Sequence, residues 1–246
     1  MVRPKHRPNV RSGHKVGVRN RLLNALTDDE YTALEPYLEP VELPRGKILY
    51  EPGDEIEWVY FPERAMVSIV SLMENGATTE IGLIGREGMV GISVLLGRRQ
   101  AINRAIVQVP DGGNRMRVDA LEKLFREGGT LQTLLLTYTQ TMFMYVSQLA
   151  ACNRHHKIEQ RFARWLLHVS DSLDSNQLPL TQEFVAEMLG SRRSGVTVAA
   201  QALQRAAIIQ YRRGMITVLD RDRLEEETCE CYQQIHREFS QLYGEV

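Results

Sequence analysis

The pair Gly128-Gly129 separates two parts of the chain that have different hydrophobic periods. Before it, between Val41 and Val118, short β-rich runs alternate with turn signals, and no run has the length or the period of a helix. After it, apolar residues recur every three or four positions, as on a helix. This change predicts an α+β chain in which a β-roll or jelly-roll domain precedes helices.

The first part contains six predicted strands. They are Lys47 to Tyr50, Trp58 to Phe61, Met66 to Leu72, Thr78 to Ile84, Ala101 to Val109 and Asn114 to Val118. The breaks between them are typical of tight turns and comprise Pro52-Gly53-Asp54, Glu74-Asn75-Gly76, residues 85–91 and Asp111-Gly112-Gly113. Short strands joined in this way predict antiparallel hairpins.

A long helix is predicted to begin near Thr130, which can cap it, and to end near Asn153. Its apolar residues follow one another at spacings of four and three: Leu131, Leu135, Tyr138, Met142, Tyr145, Leu149 and Cys152. A heptad seam on a helix of about 36 Å is typical of a dimer interface. We expect the first six residues to face a second copy, with Leu134, Leu136 and Phe143 against the β domain. The alternative is a core helix that lies against the β domain.

Composition places the chain among ordinary globular proteins. Of the 246 residues, 43% are hydrophobic and 25% are charged, and no run approaches the roughly 18 apolar residues that cross a membrane. The N-terminus has no apolar segment of the kind found in signal peptides. Three cysteines, an odd number, agree with a reducing compartment. These features predict a cytoplasmic protein without membrane contacts.

The formal net charge of −1 conceals a segregation of charge along the chain. Residues 1–21 carry basic side chains and no acid, which is typical of a disordered tail or of an arm that touches DNA. Residues 188–219 also lack acids and contain Arg192, Arg193, Arg205, Arg212 and Arg213. Because these cations repel one another without a polyanion, the block indicates a nucleic-acid surface.

The spacing of apolar residues in this block is that of a helix-turn-helix. After an amphipathic helix from about His155 to Ser172, Thr181 is predicted to cap a helix from Gln182 to Leu189, which Gly190 stops. Ser191 is predicted to cap the next helix. Small and apolar residues of the second helix face inward: Val196, Ala199, Ala200 and Leu203. The residues predicted to contact DNA are Ser191, Arg192, Arg193, Ser194, Thr197 and Gln201.

Two short β runs follow, Ile208 to Tyr211 and Met215 to Leu219, on either side of Arg212-Arg213-Gly214. A β-turn at this position would form a basic wing, with Arg212 and Arg213 against the phosphate backbone. The block therefore predicts a winged helix-turn-helix domain.

The order of parts resembles the Crp/Fnr family of bacterial transcription regulators. The resemblance covers about residues 22–225 and rests on two motifs. In the β domain, the motif is Leu49-Tyr50-Glu51-Pro52-Gly53-Asp54, followed by Val59-Tyr60-Phe61. In the DNA-binding domain, it is the recognition-helix motif at residues 189–197. It implies a basic arm (1–21), a cyclic-nucleotide-binding-like sensory β-roll (22–127), a dimerisation helix (128–153) and a winged helix-turn-helix domain with a C-terminal helix (154–246). It also implies DNA, a second copy of the chain and RNA polymerase as partners.

The sequence departs from the family pattern at both candidate sites. In the recognition helix, Ser194 replaces a Glu and Val198 replaces an Arg, so the usual operator does not follow. Effector contacts carried over from the family fall on Gly91, Ile92, Asn103 and Arg104. Here Ile92 stands where nucleotide-binding members have a ribose-binding Glu. The effector is therefore open between cyclic AMP, another small ligand and none.

Cys229 and Cys231 are predicted to diverge by about 200° on a C-terminal helix. They therefore cannot share a metal unless the helix breaks, and no metal site is predicted.

No motif of a hydrolase, nucleotide-binding enzyme or metalloprotease is present, which argues against catalysis. The sequence predicts a homodimeric, sequence-specific DNA-binding transcription regulator, whose sensory β-roll is the candidate place for a response to a small effector. The alternative is a ligand-binding or interaction module that does not bind DNA.

Overall fold

The computed structural model describes residues 17–244. Most of the predicted basic arm lies outside the described residues. Two short helices, α1 (Arg21–Asn24) and α2 (Asp28–Leu34), begin the described part. A capping box starts α2, in which Thr27 accepts from the Glu30 backbone and the Glu30 side chain accepts from the Thr27 backbone.

Seven strands form the β domain in the described part of the chain. They are β1 (Glu39–Leu43), β2 (Ile48–Tyr50), β3 (Trp58–Pro62), β4 (Met66–Leu72), β5 (Thr78–Ile84), β6 (Arg104–Val109) and β7 (Asp111–Arg117). They pair antiparallel in two sheets, ordered β2-β6-β4-β5 and β1-β7-β3. Buried side chains from both sheets belong to one hydrophobic core, as expected of a sandwich. The predicted α+β class is confirmed.

The predicted bounds of β4 and β5 agree with the structure to the residue. The prediction that Asp111-Gly112-Gly113 forms a break is wrong, because these residues belong to β7, where Gly113 pairs with Val41 and Pro62. A Cβ at Gly113 would lie 2.7 Å from the Phe61 carbonyl oxygen. Glycine is therefore needed here for the close approach of two strands rather than for a turn.

Two helices follow, α3 (Val118–Arg126) and α4 (Gly129–His155). The second has 27 residues and is about 40 Å long. It begins after Gly128 (φ 84°) rather than at a Thr130 cap. The Glu30 carboxylate accepts from the Leu131 backbone N–H at 2.9 Å and so satisfies a donor in the first turn.

The face of α4 that was predicted to meet a second copy lies in the core of its own chain. The exposed fractions are 7% or less for Leu131, Leu135, Tyr138, Tyr145 and Leu149, and Met142 packs half-buried on the same core. The Tyr138 hydroxyl contacts the backbone N–H and carbonyl of Met89 at 3.0 and 3.2 Å. The prediction of a dimer seam on these six residues is wrong, since they are buried against the β domain and against α5 and α9 of their own chain.

The C-terminal unit comprises α5 (Ile158–Leu173), β8 (Gln177–Leu178), α6 (Gln182–Met188), α7 (Arg193–Arg205), β9 (Ile209–Arg212), β10 (Met215–Val218), α8 (Arg221–Glu226) and α9 (Cys231–Tyr243). The three strands form one antiparallel sheet, ordered β8-β10-β9. The core of this unit continues into the β domain through Met66, Leu83 and Val109. Within residues 17–244, no helix is both long and apolar enough to span a bilayer.

Helix α9 returns to the first part of the chain, where Ile235 and Phe239 join the core of the β domain. The prediction of a single C-terminal helix carrying Cys229 and Cys231 is wrong. Helix α8 ends at Glu226, Cys229 lies in the turn, and Cys231 begins α9. The 200° separation of the two thiols therefore does not apply.

Candidate nucleic-acid interface

The turn between α6 and α7 has helix-turn-helix geometry. As predicted, the Thr181 hydroxyl accepts from the Phe184 N–H at 3.2 Å to cap α6, and Gly190 follows the helix with φ 56°. The Ser191 N–H then donates to the Ala186 carbonyl at 2.9 Å. The prediction that Ser191 caps α7 is wrong: Arg192 is the N-cap residue, because Ser191 is used to close the turn. The Ser191 hydroxyl is buried and without a hydrogen-bond partner among residues 17–244.

The inner face of α7 is the predicted one. Val196, Ala199 and Ala200 are fully buried, and Leu203 is 4% exposed. The Arg161 guanidinium, from α5, donates to the Leu189 carbonyl at the end of α6 and so supports the turn. Nothing in the sequence pattern singles out this arginine, since an arginine on an amphipathic helix carries no sign of burial.

The outer face of α7 presents polar and cationic side chains to solvent. Arg192, Arg193, Ser194 and Gln201 are exposed, whereas Thr197 is half-buried. The Thr197 hydroxyl lies 2.9 Å from Gln182 Oε1 and 3.0 Å from the Arg193 carbonyl oxygen. Those contacts join the start of α6 to α7, so Thr197 is engaged within the domain.

The predicted wing is present as a two-residue hairpin between β9 and β10. Arg212 pairs with Met215, and the turn residues Arg213 and Gly214 have φ of 51° and 77°. Two consecutive positive φ values are typical of a type I′ turn, whose twist matches that of the strands. Arg212 and Arg213 are both exposed at its tip.

The arginines of this block differ from those of the β domain in their partners. Several of those of the β domain pair with carboxylates, as Arg99 does with Asp119 at 2.7 Å and Arg115 with Glu39 at 2.9 Å. In the described part of the chain, no ion pair involves the arginines of the acid-free block, which are Arg192, Arg193, Arg205, Arg212 and Arg213. Helix α7 and the wing therefore form a cationic surface without internal compensation.

The candidate effector residues lie at two places in the β domain. Gly91 (φ 96°) precedes a short 3₁₀ turn that Ile92 begins, and Asn103 and Arg104 lie at the start of β6. The Arg104 guanidinium makes a bidentate pair with the Glu51 carboxylate, at 2.9 and 2.8 Å. A phosphate at Arg104 would therefore have to replace a carboxylate of the chain itself.

Residues 160–227 match the family model described as the Crp-like helix-turn-helix domain. The match includes α6, α7 and the wing. Like the Crp/Fnr-type transcription regulators that it resembles, this chain has a Crp-like helix-turn-helix DNA-binding domain. The resemblance stated from the sequence motifs is confirmed.

Solved structures show that the Crp/Fnr-type fold extends to the β domain and α4. FixK2 from Bradyrhizobium japonicum superimposes with a TM-score of 0.69 at 15% identity, covering 78% of this chain and 98% of that one. A putative transcriptional regulator of the Crp/Fnr family from Eubacterium rectale gives a TM-score of 0.61 at 18% identity, covering 83% and 96%. Among curated relatives, the global nitrogen regulator of Nostoc sp. is 24% identical over 196 residues, which are 76% of this chain and 86% of that protein.

A cavity of about 740 Å³ joins the two units of this Crp/Fnr-type chain. Its lining includes four arginines, Arg21, Arg86, Arg164 and Arg221, and three acids, Glu87, Asp171 and Asp174. Asp174 pairs with Arg86 and Asp171 pairs with Arg221. A small molecule in this cavity would contact both the β domain and the DNA-binding unit.

Proposed function

We propose that this regulator binds an inverted repeat in double-stranded DNA as a homodimer, with one α7 helix in each of two major grooves. One observation carries the proposal: the arginines of α7 and the wing are exposed and have no acidic partner among residues 17–244. DNA supplies the missing negative charge, and phosphate neutralisation releases counterions.

Within this interface the residues have different proposed roles. Arg193, Ser194 and Gln201 face out from α7 and read base edges, since Arg pairs bidentately with guanine and Gln with adenine. Arg192, at the N-cap, and the wing residues Arg212 and Arg213 contact phosphates. Ser191 and Thr197 support this surface from within the turn, because their hydroxyls are buried or engaged.

The homodimer forms, in our proposal, through the other face of α4. Leu136, Phe143 and Val146 are 49%, 77% and 39% exposed, although they are apolar. Phe143 lies one heptad after Leu136, and the exposed Ala150 lies one heptad after Phe143. This heptad stripe is offset from the predicted seam and is available to a second copy.

The β domain has the sensory role in this proposal, and the cavity between the units is a candidate place for the effector. RNA polymerase is a further proposed partner, and the site of action is the cytoplasm, where bacterial DNA lies. We propose no catalytic role, because the sequence contains no motif of a hydrolase, a nucleotide-binding enzyme or a metalloprotease.

The base-reading role is tested on an operator obtained by selection from genomic DNA at about 150 mM salt, where non-specific binding fades. With Arg193→Ala, discrimination at one base pair should fall by about 1 to 3 kcal/mol. With Arg212→Ala, binding should weaken almost equally on all sequences. The slope of the logarithm of the binding constant against the logarithm of the salt concentration should fall in magnitude by about one, because about one counterion fewer is released.

Arg237→Ala is the matched control, because Arg237 is an exposed arginine on α9, outside the proposed interface. Its binding should equal that of the unmodified protein in titrations by fluorescence anisotropy. Unchanged base discrimination in Arg193→Ala would contradict the role assigned to this residue. Absence of any selected sequence from a folded dimer would favour the interaction module without DNA binding.

A further inference from the structure

Four potential metal ligands converge where the end of α4 meets the start of α9. Cys152 lies in the last turn of α4 and His156 directly follows that helix, while Cys229 and Cys231 lie at the break before α9. The ligand atoms of the four side chains all lie within 4.8 Å of one another. The three cysteines are buried and His156 is half-buried.

Two of the separations between ligand atoms match the edges of a tetrahedron around one metal ion. The sulfurs of Cys152 and Cys229 are 3.6 Å apart, and the Cys231 sulfur is 3.5 Å from His156 Nδ1. With Zn–S near 2.3 Å and Zn–N near 2.0 Å, a regular tetrahedron has S···S edges of about 3.8 Å and S···N edges of about 3.5 Å. A disulfide would need sulfurs about 2.05 Å apart.

Neighbouring groups orient these ligands as in known metal sites. His156 Nε2 lies 3.2 Å from the Glu230 carboxylate, which leaves Nδ1 directed toward the sulfurs. A carboxylate on the second ring nitrogen is the usual support of a metal-bound histidine. The Gln148 amide donates to the Cys231 sulfur at 3.1 Å, an arrangement that stabilises a thiolate.

The charges of neighbouring side chains also fit a site that holds Zn²⁺. Three thiolates, a neutral imidazole and Zn²⁺ carry a net charge of −1, and Arg161 and Arg164 both interact electrostatically with Cys152. Both arginine Nε atoms are buried without a hydrogen-bond partner in the part of the chain described.

We propose that Cys152, His156, Cys229 and Cys231 bind one zinc ion in a closed, four-ligand structural site. Closed Cys₃His sites stabilise folds and leave no position for a substrate. The ion would fasten the break before α9 to the end of α4. It would thereby hold α9, whose Ile235 and Phe239 belong to the core of the β domain, at the junction of the two units.

The test measures metal content and cobalt spectra of the full chain, purified without added chelator. We expect about one zinc per chain by elemental analysis. We also expect chelator-stripped protein to bind Co²⁺ with thiolate charge-transfer bands and the intense visible bands of tetrahedral cobalt. Stripping should lower the midpoint of thermal unfolding, because metal binding is coupled to folding.

Cys231→Ser and His156→Gln should lose most of the zinc, whereas His155→Gln, at the exposed neighbouring histidine, should keep it. If the cysteine variant does not fold, the cobalt titration of the unmodified chain decides the question by itself. A folded chain without zinc and without a tetrahedral cobalt spectrum overturns the proposal. Stoichiometric iron and sulfide, or a Cys152–Cys229 disulfide in the isolated protein, overturns it as well.

Discussion

Glu80 is a carboxylic acid in the core at the contact between the β domain and the DNA-binding unit, and it is 5% exposed. The Ser68 hydroxyl donates to one of its oxygens at 2.5 Å, and the Trp165 indole N–H donates to the other at 3.0 Å. Burial raises the pKa of Glu80 to about 7, and these hydrogen bonds and Arg164 oppose the shift. Glu80 therefore joins the two units through hydrogen bonds to Ser68 and Trp165, and the free energy of this contact depends on the protonation of the carboxyl group.

We expect this carboxyl to make the protein less stable as pH rises from about 5 to about 7. In that range the folded state binds a proton that the unfolded state has lost, so the free energy of unfolding falls with pH, by at most about 3 kcal/mol in total. Glu80→Gln keeps the side chain neutral and should remove this part of the slope. Urea unfolding at a series of pH values measures it.

Glu74→Gln is the control for the pH experiment, because Glu74 is exposed in the turn between β4 and β5. It should keep the slope of the unmodified protein. An equal slope in Glu80→Gln would mean that other groups cause the pH dependence.

At the scale of elements, α4 has two apolar faces with different environments. One face, with Tyr138 and Tyr145, is buried against the β domain, α5 and α9, and the other, with Leu136, Phe143 and Val146, is exposed. A substitution on the exposed face changes association, whereas one on the covered face changes folding. Substitutions on the two faces of α4 can therefore test association and folding separately.

Phe143→Glu should yield folded monomers, since it places a charge in the centre of the proposed interface. Thr137→Glu, an exposed position on the same helix, should leave the dimer intact. Tyr138→Glu should prevent folding, because its side chain is fully buried. Sedimentation velocity with circular dichroism distinguishes these results, and a dimeric Phe143→Glu would place the interface elsewhere.

At the scale of the whole molecule, the proposed dimer determines the distance between two recognition helices. In a two-fold complex these helices enter successive major grooves about 34 Å apart, so the half-sites must have a matching separation. Adding about five base pairs between the half-sites turns one of them to the opposite side of the duplex. We expect that insertion to reduce affinity to that of a single half-site.

Adding about ten base pairs restores the rotational phase but not the distance, and should recover little affinity if the dimer is rigid. Anisotropy titrations on three duplexes of equal length measure both effects. Equal affinity on all three would mean that the two DNA-binding units act independently.

The sequence by itself determined the parts of this protein and their order. The strand runs, the glycine pair, the helix-turn-helix spacing and the acid-free arginine block are patterns between residues close in the chain, and local spacing expresses them directly. The bounds of Met66–Leu72 and Thr78–Ile84, the inner face of α7 and the hairpin wing were predicted for this reason.

Only the tertiary structure decided which surfaces meet. Both faces of α4 are apolar, so periodicity did not reveal that Tyr138 lies under the β domain. Cys152 and Cys229 are 77 positions apart, and their contact depends on a helix break after Glu226 and on the return of α9. Such contacts depend on how distant elements pack, and a one-dimensional pattern of residues does not contain this information.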